Sequence, residues 1–98
     1  MLVRMFQFRV RKGREAATRA FMRRVALKVL KKVKGCLCAY FTRGAGKGEY
    51  LWVTVWTNER ALKKGIARRD WQALLAEETR EFFAGRPTVK HYPVLAAK

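Results

Sequence analysis

Residues 49–62 read EYLWVTVWTNERAL, and the segment Glu49–Trp56 alternates as an extended strand does. Successive side chains of a strand point to opposite faces. One face carries Leu51, Val53 and Val55, and the other carries Tyr50, Trp52, Thr54 and Trp56. Both faces are mostly apolar, which is typical of a strand in a sheet that is covered on both sides. Asn58 follows the strand and is a preferred residue for starting a helix.

The same reasoning, extended outward from this strand, predicts the remaining elements. Three further strands are predicted at Leu2–Val10, Cys36–Thr42 and Thr88–Leu95. Three helices are predicted over Arg14–Lys34, from Asn58 to about Arg69, and over Trp71–Ala84 with Asp70 as its cap. The glycine-rich segment Arg43–Gly48 opens onto a strand, so it is predicted to be a hairpin turn and not a phosphate-binding loop.

This order of elements predicts the fold class. The chain has 98 residues, within the usual size of one domain, so residues 1–98 are predicted to form a single domain. The order β-α-β-β-α-α-β is the ferredoxin-like arrangement, an α+β fold in which an antiparallel sheet carries its helices on one face.

The uncovered face of such a sheet should be polar if it meets water, yet both faces are apolar here. An exposed patch of several aromatic residues would exceed the few hundred Å² that monomers tolerate. We therefore predict a homodimer in which a second sheet covers the aromatic face. The predicted dimer face consists of Phe6, Phe8, Tyr50, Trp52 and Trp56. A stacked nucleic acid is the alternative cover for the same face.

The charge of the chain is strongly positive and unevenly distributed. The formal net charge is +16, of which residues 1–48 contribute +13 and residues 49–98 contribute +3. Such a field attracts anions and nucleic acids without specificity. With one Asn and two Gln, the composition equally fits a heat-adapted protein with many surface cations.

Neither a membrane segment nor a metal site is predicted. No apolar run approaches the roughly 18 residues of a membrane span, and the first residues alternate as a strand does, so a cytoplasmic protein is expected. Cys36 and Cys38 are predicted to share one face of a strand, which is poor geometry for a disulfide. With His91 as the single histidine, a four-ligand zinc site is not expected. His91 also lacks an identifiable partner for acid–base catalysis.

Three stretches resemble the antibiotic biosynthesis monooxygenase family of dimeric α+β barrels. They are FRVRKG at 8–13, VKGCLC at 33–38 and EYLWVTVWTNERAL at 49–62. The best marks are Gly35 before the second strand, and Trp56 closing the third strand ahead of a capped helix with Ala61. The resemblance implies cofactor-independent oxidation of a small hydrophobic or aromatic molecule and, in one branch, oxidative haem degradation.

The site residues of the haem branch are missing from this chain. The branch has Asn, Trp and His at positions that correspond to Gln7, Gly65 and approximately Leu75. Other members place histidines where this chain has Gly65 and Asp70. Haem iron without such a histidine lacks its axial ligand, so no cofactor is predicted.

The predicted substrate pocket lies between the sheet and the helices. Gln7 would orient the substrate, Trp71 would form a wall and Gly65 would set the depth of the pocket. Alternatively, the indole of Trp71 fills the space beside Gly65. A non-catalytic dimer that binds a ligand is an equal alternative to an enzyme. An RNA-binding module with a similar element order is less favoured, because Glu49 occupies its first base-stacking position.

Overall fold

The computed structural model describes residues 1–98. The strands are β1 (Leu2–Arg9), β2 (Cys36–Arg43), β3 (Glu49–Trp56) and β4 (Thr88–Pro93), and the helices are α1 (Glu15–Phe21), α2 (Leu27–Lys31), α3 (Glu59–Ile66) and α4 (Arg69–Glu81). A π-helical turn, Met22–Ala26, joins α1 to α2, and these three segments together are called the first helix. The strands form one antiparallel sheet in the order β2-β3-β1-β4. The predicted α+β ferredoxin-like class is confirmed.

Gly35 ends the segment that follows the first helix and begins the approach to β2. Its φ is +89°, a left-handed conformation that glycine adopts without the steric penalty of a Cβ. A Cβ built at Gly35 would also lie 2.5 Å from the Cβ of Ala61 in α3. The turn and the close contact with α3 therefore both require glycine at this position.

The predicted helix starts are confirmed at one helix and wrong at another. Asn58 caps α3, because its Oδ1 accepts a hydrogen bond of 2.8 Å from the backbone N–H of Ala61. Asp70 does not cap α4, which begins at Arg69 and leaves Asp70 in its first turn. There the carboxylate pairs with Arg68 at 2.9 Å and suits the positive end of the helix dipole.

The predicted dimer face is wrong, because its side chains point toward the helices. Each of the five residues is at most 5% exposed, and they are Phe6, Phe8, Tyr50, Trp52 and Trp56. They belong to the hydrophobic core of the chain, together with residues such as Met22 and Leu62 from the helices. Strand alternation separates two faces but does not show which one the helices cover. Base stacking on these aromatic side chains is excluded for the same reason.

The opposite face of the sheet, here called the open face, carries no helix. Its central residues are half-buried and aliphatic, namely Val3, Met5, Leu51, Val53 and Val55. Gln7 lies on this face and is exposed, opposite Leu51 in β3 and Thr88 in β4. No helix of the chain is long and apolar enough to cross a membrane.

An irregularity in β2 separates the two cysteines. The pairing shifts between Cys36, which lies opposite Trp56, and Cys38, which lies opposite Val55. Trp56 faces the helices and Val55 faces outward, so the thiols are on different faces of the sheet. The prediction that both point the same way is wrong, because a bulge adds one residue and interrupts the alternation.

Candidate functional site

A small cavity lies between the helix-facing side of the sheet and α4. Its lining combines aromatic and aliphatic side chains with two buried ionisable groups, and consists of Arg4, Phe6, Leu30, Trp52, Thr54, Trp71, Leu74, Leu75 and Glu78. The space that the centre of a water molecule can reach is about 30 Å³. That volume accommodates one or two water-sized molecules.

Arg4 supplies the positive charge of the cavity from the middle of β1. Arg4 is only 7% exposed, and its guanidinium carbon lies 5.0 Å from the ring centre of Phe6 and 5.7 Å from that of Trp71. Its Nε has no hydrogen-bond partner. Burial lowers the pKa of Arg4, while the charge of Glu78 opposes that change. A guanidinium stays protonated in proteins, so the cavity holds a fixed cation.

Glu78 supplies the second polar group from α4. It is 3% exposed, and its Oε1 has no hydrogen-bond partner. Burial raises the pKa of Glu78 to about 8, although neighbouring Trp52 and the charge of Arg4 partly oppose this increase and Glu77 adds to it. The carboxyl group therefore exchanges its proton close to neutral pH.

The aromatic walls of the cavity are held in place by hydrogen bonds. The indole N–H of Trp52 donates to the Sδ of Met22 at 3.0 Å. Behind this wall, the indole N–H of Trp56 donates to the hydroxyl oxygen of Thr54 at 2.8 Å. Both bonds are buried, so rotating either indole would leave a donor without a partner, which is costly.

Together these residues form a site that can move a proton and stabilise an anion. A carboxyl group whose pKa lies near the working pH is an effective general base. The fixed charge of Arg4 would stabilise negative charge that develops on a bound molecule. The rings of Phe6, Trp52 and Trp71 would exclude water and contact an apolar ligand.

Of the three predicted pocket residues, the structure places only Trp71 on this cavity. Gln7 is on the open face and does not line it, because neighbouring Phe6 and Phe8 point to the helix side. Gly65 does not leave space for a ligand, since a Cβ there would lie 2.6 Å from Cη2 of Trp56. The alternative that Trp71 fills the space beside Gly65 is also wrong, because the indole of Trp56 occupies it.

Sequence reasoning missed Arg4 and Glu78, although each left a signal. Arg4 alternates in phase with Phe6 and Phe8, so it falls on the apolar face of β1. Glu78 follows Trp71 and Leu74 at spacings of seven and four, so it falls on the buried stripe of α4. A charge in phase with an apolar pattern is a signal of a buried polar group.

Haem does not fit this cavity. The reachable space of about 30 Å³ is far smaller than a porphyrin. The side chain near the position of the haem-branch histidine is Leu75, which cannot ligate iron.

Comparisons with known proteins agree with this fold. The model of the family described as antibiotic biosynthesis monooxygenase matches residues 1–77. A comparison with curated proteins gives no match. A solved protein of unknown function from Nitrosomonas europaea is 20% identical with a TM-score of 0.84, over 99% of this chain and 91% of that one. A candidate antibiotic biosynthesis monooxygenase from Caulobacter crescentus is 21% identical with a TM-score of 0.84, over 97% of this chain and 90% of that one.

A third solved structure, from another bacterium, has a similar fold. A candidate antibiotic biosynthesis monooxygenase from Deinococcus radiodurans is 15% identical with a TM-score of 0.83, over 100% of this chain and 96% of that one. At such identities the solved structures establish similarity of fold.

Proposed function

Because this chain belongs to the antibiotic biosynthesis monooxygenase family, we propose that it oxidises a small hydrophobic or aromatic molecule with dioxygen and without a cofactor. The observation that carries the proposal is the pair of buried ionisable residues, Arg4 and Glu78, which line an aromatic cavity and each have a side-chain polar atom without a hydrogen-bond partner. Buried polar groups without partners are rare and are often explained by a functional role.

The proposed chemistry balances without an added reductant. For a phenol with a free para carbon, Glu78 would remove the hydroxyl proton, and Arg4 would stabilise the resulting anion. The electron-rich para carbon would then react with dioxygen. One oxygen atom becomes the new carbonyl of a quinone, and the other leaves as water with two hydrogens from the substrate. With 1-naphthol, the products are 1,4-naphthoquinone and water.

The size of the cavity sets a condition for this reaction. In the present conformation it has room for dioxygen or a water molecule but not for an aromatic ring. Binding of a ring therefore requires α4 to move outward from the sheet. Leu75, a half-buried side chain of the lining on α4, would be displaced in that movement.

Oxygen uptake by the purified protein tests the proposal. The substrates would be 1-naphthol and 1,5-dihydroxynaphthalene, with 2-naphthol as a negative control because its para position is a ring-fusion carbon without hydrogen. Glu78→Gln would be compared with Glu59→Gln, a change at an exposed carboxylate on α3. General bases contribute roughly 10²–10⁴-fold to a rate. We expect Glu78→Gln to lose at least about 100-fold in kcat. Glu59→Gln should stay within about twofold, since Glu59 lies outside the cavity and does not contribute to the pKa of Glu78.

The pH dependence of the same assay gives a second readout. The wild-type rate should increase as the pH passes about 8, the pKa of Glu78, because the base must be deprotonated. Oxygen uptake that is equal in both variants would exclude Glu78 as the base. Binding of a naphthol without oxygen uptake would instead identify a non-catalytic, ligand-binding protein.

We also propose that the functional unit is a homodimer formed through the open face. Its aliphatic residues Val3, Met5, Leu51, Val53 and Val55 form a continuous apolar surface across β1 and β3. A surface of that kind usually marks an interface. Light scattering in ~0.5 M salt, where association through charge is largely screened, should give twice the chain mass of 11.4 kDa. A monomer under these conditions would contradict the dimer.

A further inference from the structure

A second and much larger concavity lies on the other side of the first helix. It separates that helix from β2, which is an edge strand of the sheet. Its lining shares no residue with the cavity of Arg4 and Glu78, and consists of Arg19, Met22, Arg23, Leu27, Ala39, Tyr40, Phe41, Thr42, Arg43 and Tyr50. We call it the arginine groove. Water centres can reach about 390 Å³ of it, within the roughly 300–1,000 Å³ of small-molecule sites.

The charged lining of the groove is entirely positive. Arg19 and Arg23 project from one side of the first helix, and Arg43 lies at the end of β2. All three side chains are exposed, none forms an ion pair, and no acidic residue lines the groove. Guanidinium groups bind phosphate and carboxylate through paired hydrogen bonds, so three of them around one space favour an anion.

The apolar lining of the groove includes a stacked pair of aromatic rings. The rings of Phe41 and Tyr50 are stacked, with centres 5.4 Å apart and planes 12° apart. The hydroxyl of Tyr50 accepts a hydrogen bond of 3.4 Å from Arg19, which connects this ring pair to the cationic rim. Leu27 and Met22 complete the apolar surface from the first helix. A planar ring is the group that such a surface fits.

The backbone of the first helix is irregular at this point. Arg23 lies in the π-helical turn Met22–Ala26, and the neighbouring Met22 is fully buried. π-Helical turns are rare and are frequent at functional sites. This turn sets the position of Arg23 relative to Arg19.

We infer that the arginine groove binds a small organic anion, a planar ring carrying a phosphate or carboxylate group. The anionic group would lie among Arg19, Arg23 and Arg43, and the ring would lie against Phe41. A nucleic acid strand fits less well, because the groove continues along β2 into an apolar stretch. That continuation is lined by Leu27, Leu30, Lys31, Cys36, Leu37, Cys38 and Ala39. Lys31 is its one cationic residue, so the next phosphate of a nucleic acid strand would meet a single positive charge.

Titration calorimetry with 1-naphthyl phosphate tests the inference on the 98-residue chain at ~0.15 M salt, where long-range charge effects are reduced. The variant Arg19→Gln/Arg23→Gln removes two cations from the groove. Its matched control is Arg24→Gln/Lys28→Gln, which removes two exposed cations of the same helix that do not line the groove. Thermal unfolding of both variants shows whether the fold is retained.

We expect the groove variant to bind 1-naphthyl phosphate at least tenfold more weakly than the wild type, and the control to stay within about twofold, since one lost charge-assisted pair alone is worth about tenfold. 1-Naphthol and inorganic phosphate should each bind at least tenfold more weakly than the combined molecule, and 1-naphthoate should bind in the same way as the phosphate.

Other results would overturn the inference. Absence of wild-type binding would exclude the groove as an anion site, and equal weakening in both double variants would show only a general attraction to the +16 chain. Inorganic phosphate that binds as well as 1-naphthyl phosphate would remove the role of the ring. A ten-nucleotide oligothymidine that binds more tightly, and is weakened equally by both variants, would identify nucleic-acid attraction outside the groove.

Discussion

The two faces of the sheet are both apolar, but they differ in the size and burial of their side chains. The helix-facing side carries phenylalanine, tyrosine and tryptophan, represented by Trp56, which is fully buried. The open face carries valine, methionine and leucine, which stay half-buried. Wide aromatic rings fill the space between a sheet and a layer of helices, whereas short aliphatic chains form a smoother surface. Side-chain size, and not hydropathy, distinguishes the two faces.

The faces also differ in where they carry polar chemistry. The helix-facing side encloses Arg4 and Glu78, both of which are buried. The open face carries its charges at its border, where Arg9 and Glu49 pair at 2.6 Å. Chemistry on a single copy of the chain is therefore expected on the helix side, and association between copies on the open side.

The largest effect should come from truncating the aromatic face. Trp56→Ala removes a fully buried indole and should lower the free energy of unfolding by about 3–5 kcal/mol. Val55→Ala, at the adjacent position on the open face, should lower it by about 1 kcal/mol. Urea denaturation measures both values. Equal losses at the two positions would contradict the difference between the faces.

A pH-dependent effect should follow from the buried carboxyl. The folded-state pKa of Glu78 is about 8, above the ordinary value of 4.5, so the folded chain keeps a proton that the unfolded chain releases. Stability from this group is therefore full below pH 4.5 and decreases as the pH rises toward 8, by an amount on the order of 4–5 kcal/mol.

Glu78→Gln should remove this dependence. The variant should match the wild type near pH 4 and exceed its stability at pH 8, as measured by urea denaturation at both values. A variant that is less stable than the wild type at pH 8 would show that the carboxylate is stabilised by Arg4 and is not penalised by burial.

A smaller effect is expected where α3 approaches the aromatic face. Gly65→Ala should lower the free energy of unfolding by about 1–3 kcal/mol, because the new Cβ would lie 2.6 Å from Trp56 and 2.8 Å from Val33. Trp56→Phe shortens the opposing ring, so the double variant should recover part of the loss in a double-mutant cycle. Additive losses would show that the two side chains do not collide.

The smallest effect on folding should come from the open face. Val53→Lys places a cation at the centre of this face and should change the stability of the isolated chain by under about 1 kcal/mol. The mass in solution should nevertheless fall from twice 11.4 kDa to 11.4 kDa, since each copy would bury a charge in an apolar interface. Val53→Ile keeps the surface apolar and should remain dimeric. A dimer in both variants would place the interface elsewhere.

The sequence was sufficient for the fold because the strand alternation, the Asn58 cap and Gly35 each depend on local geometry. It was insufficient to predict which face of the sheet packs against the helices. Phe6 and Val3 lie on opposite faces and are both apolar, so alternation separates the two faces without showing which one is covered. The role of Gly65 was wrong for a related reason: its neighbour in space, Trp56, is known only after the helices are docked. The bulge between Cys36 and Cys38 could not be predicted, because no residue in the sequence marks it. One added residue nevertheless changes the face to which every following side chain points.

The position of Glu78 on α4 has a consequence for motion. Together with Arg4 it loses hydration when α4 packs on the sheet, and both groups would regain water if that helix detached. Detachment of α4 therefore recovers the hydration free energy of two ionisable side chains, and local opening is expected there first. Amide hydrogens of α4 should be less protected from exchange than those of β3, and protection in α4 should decrease, relative to the intrinsic base-catalysed rate, as the pH approaches 8 and the carboxyl ionises.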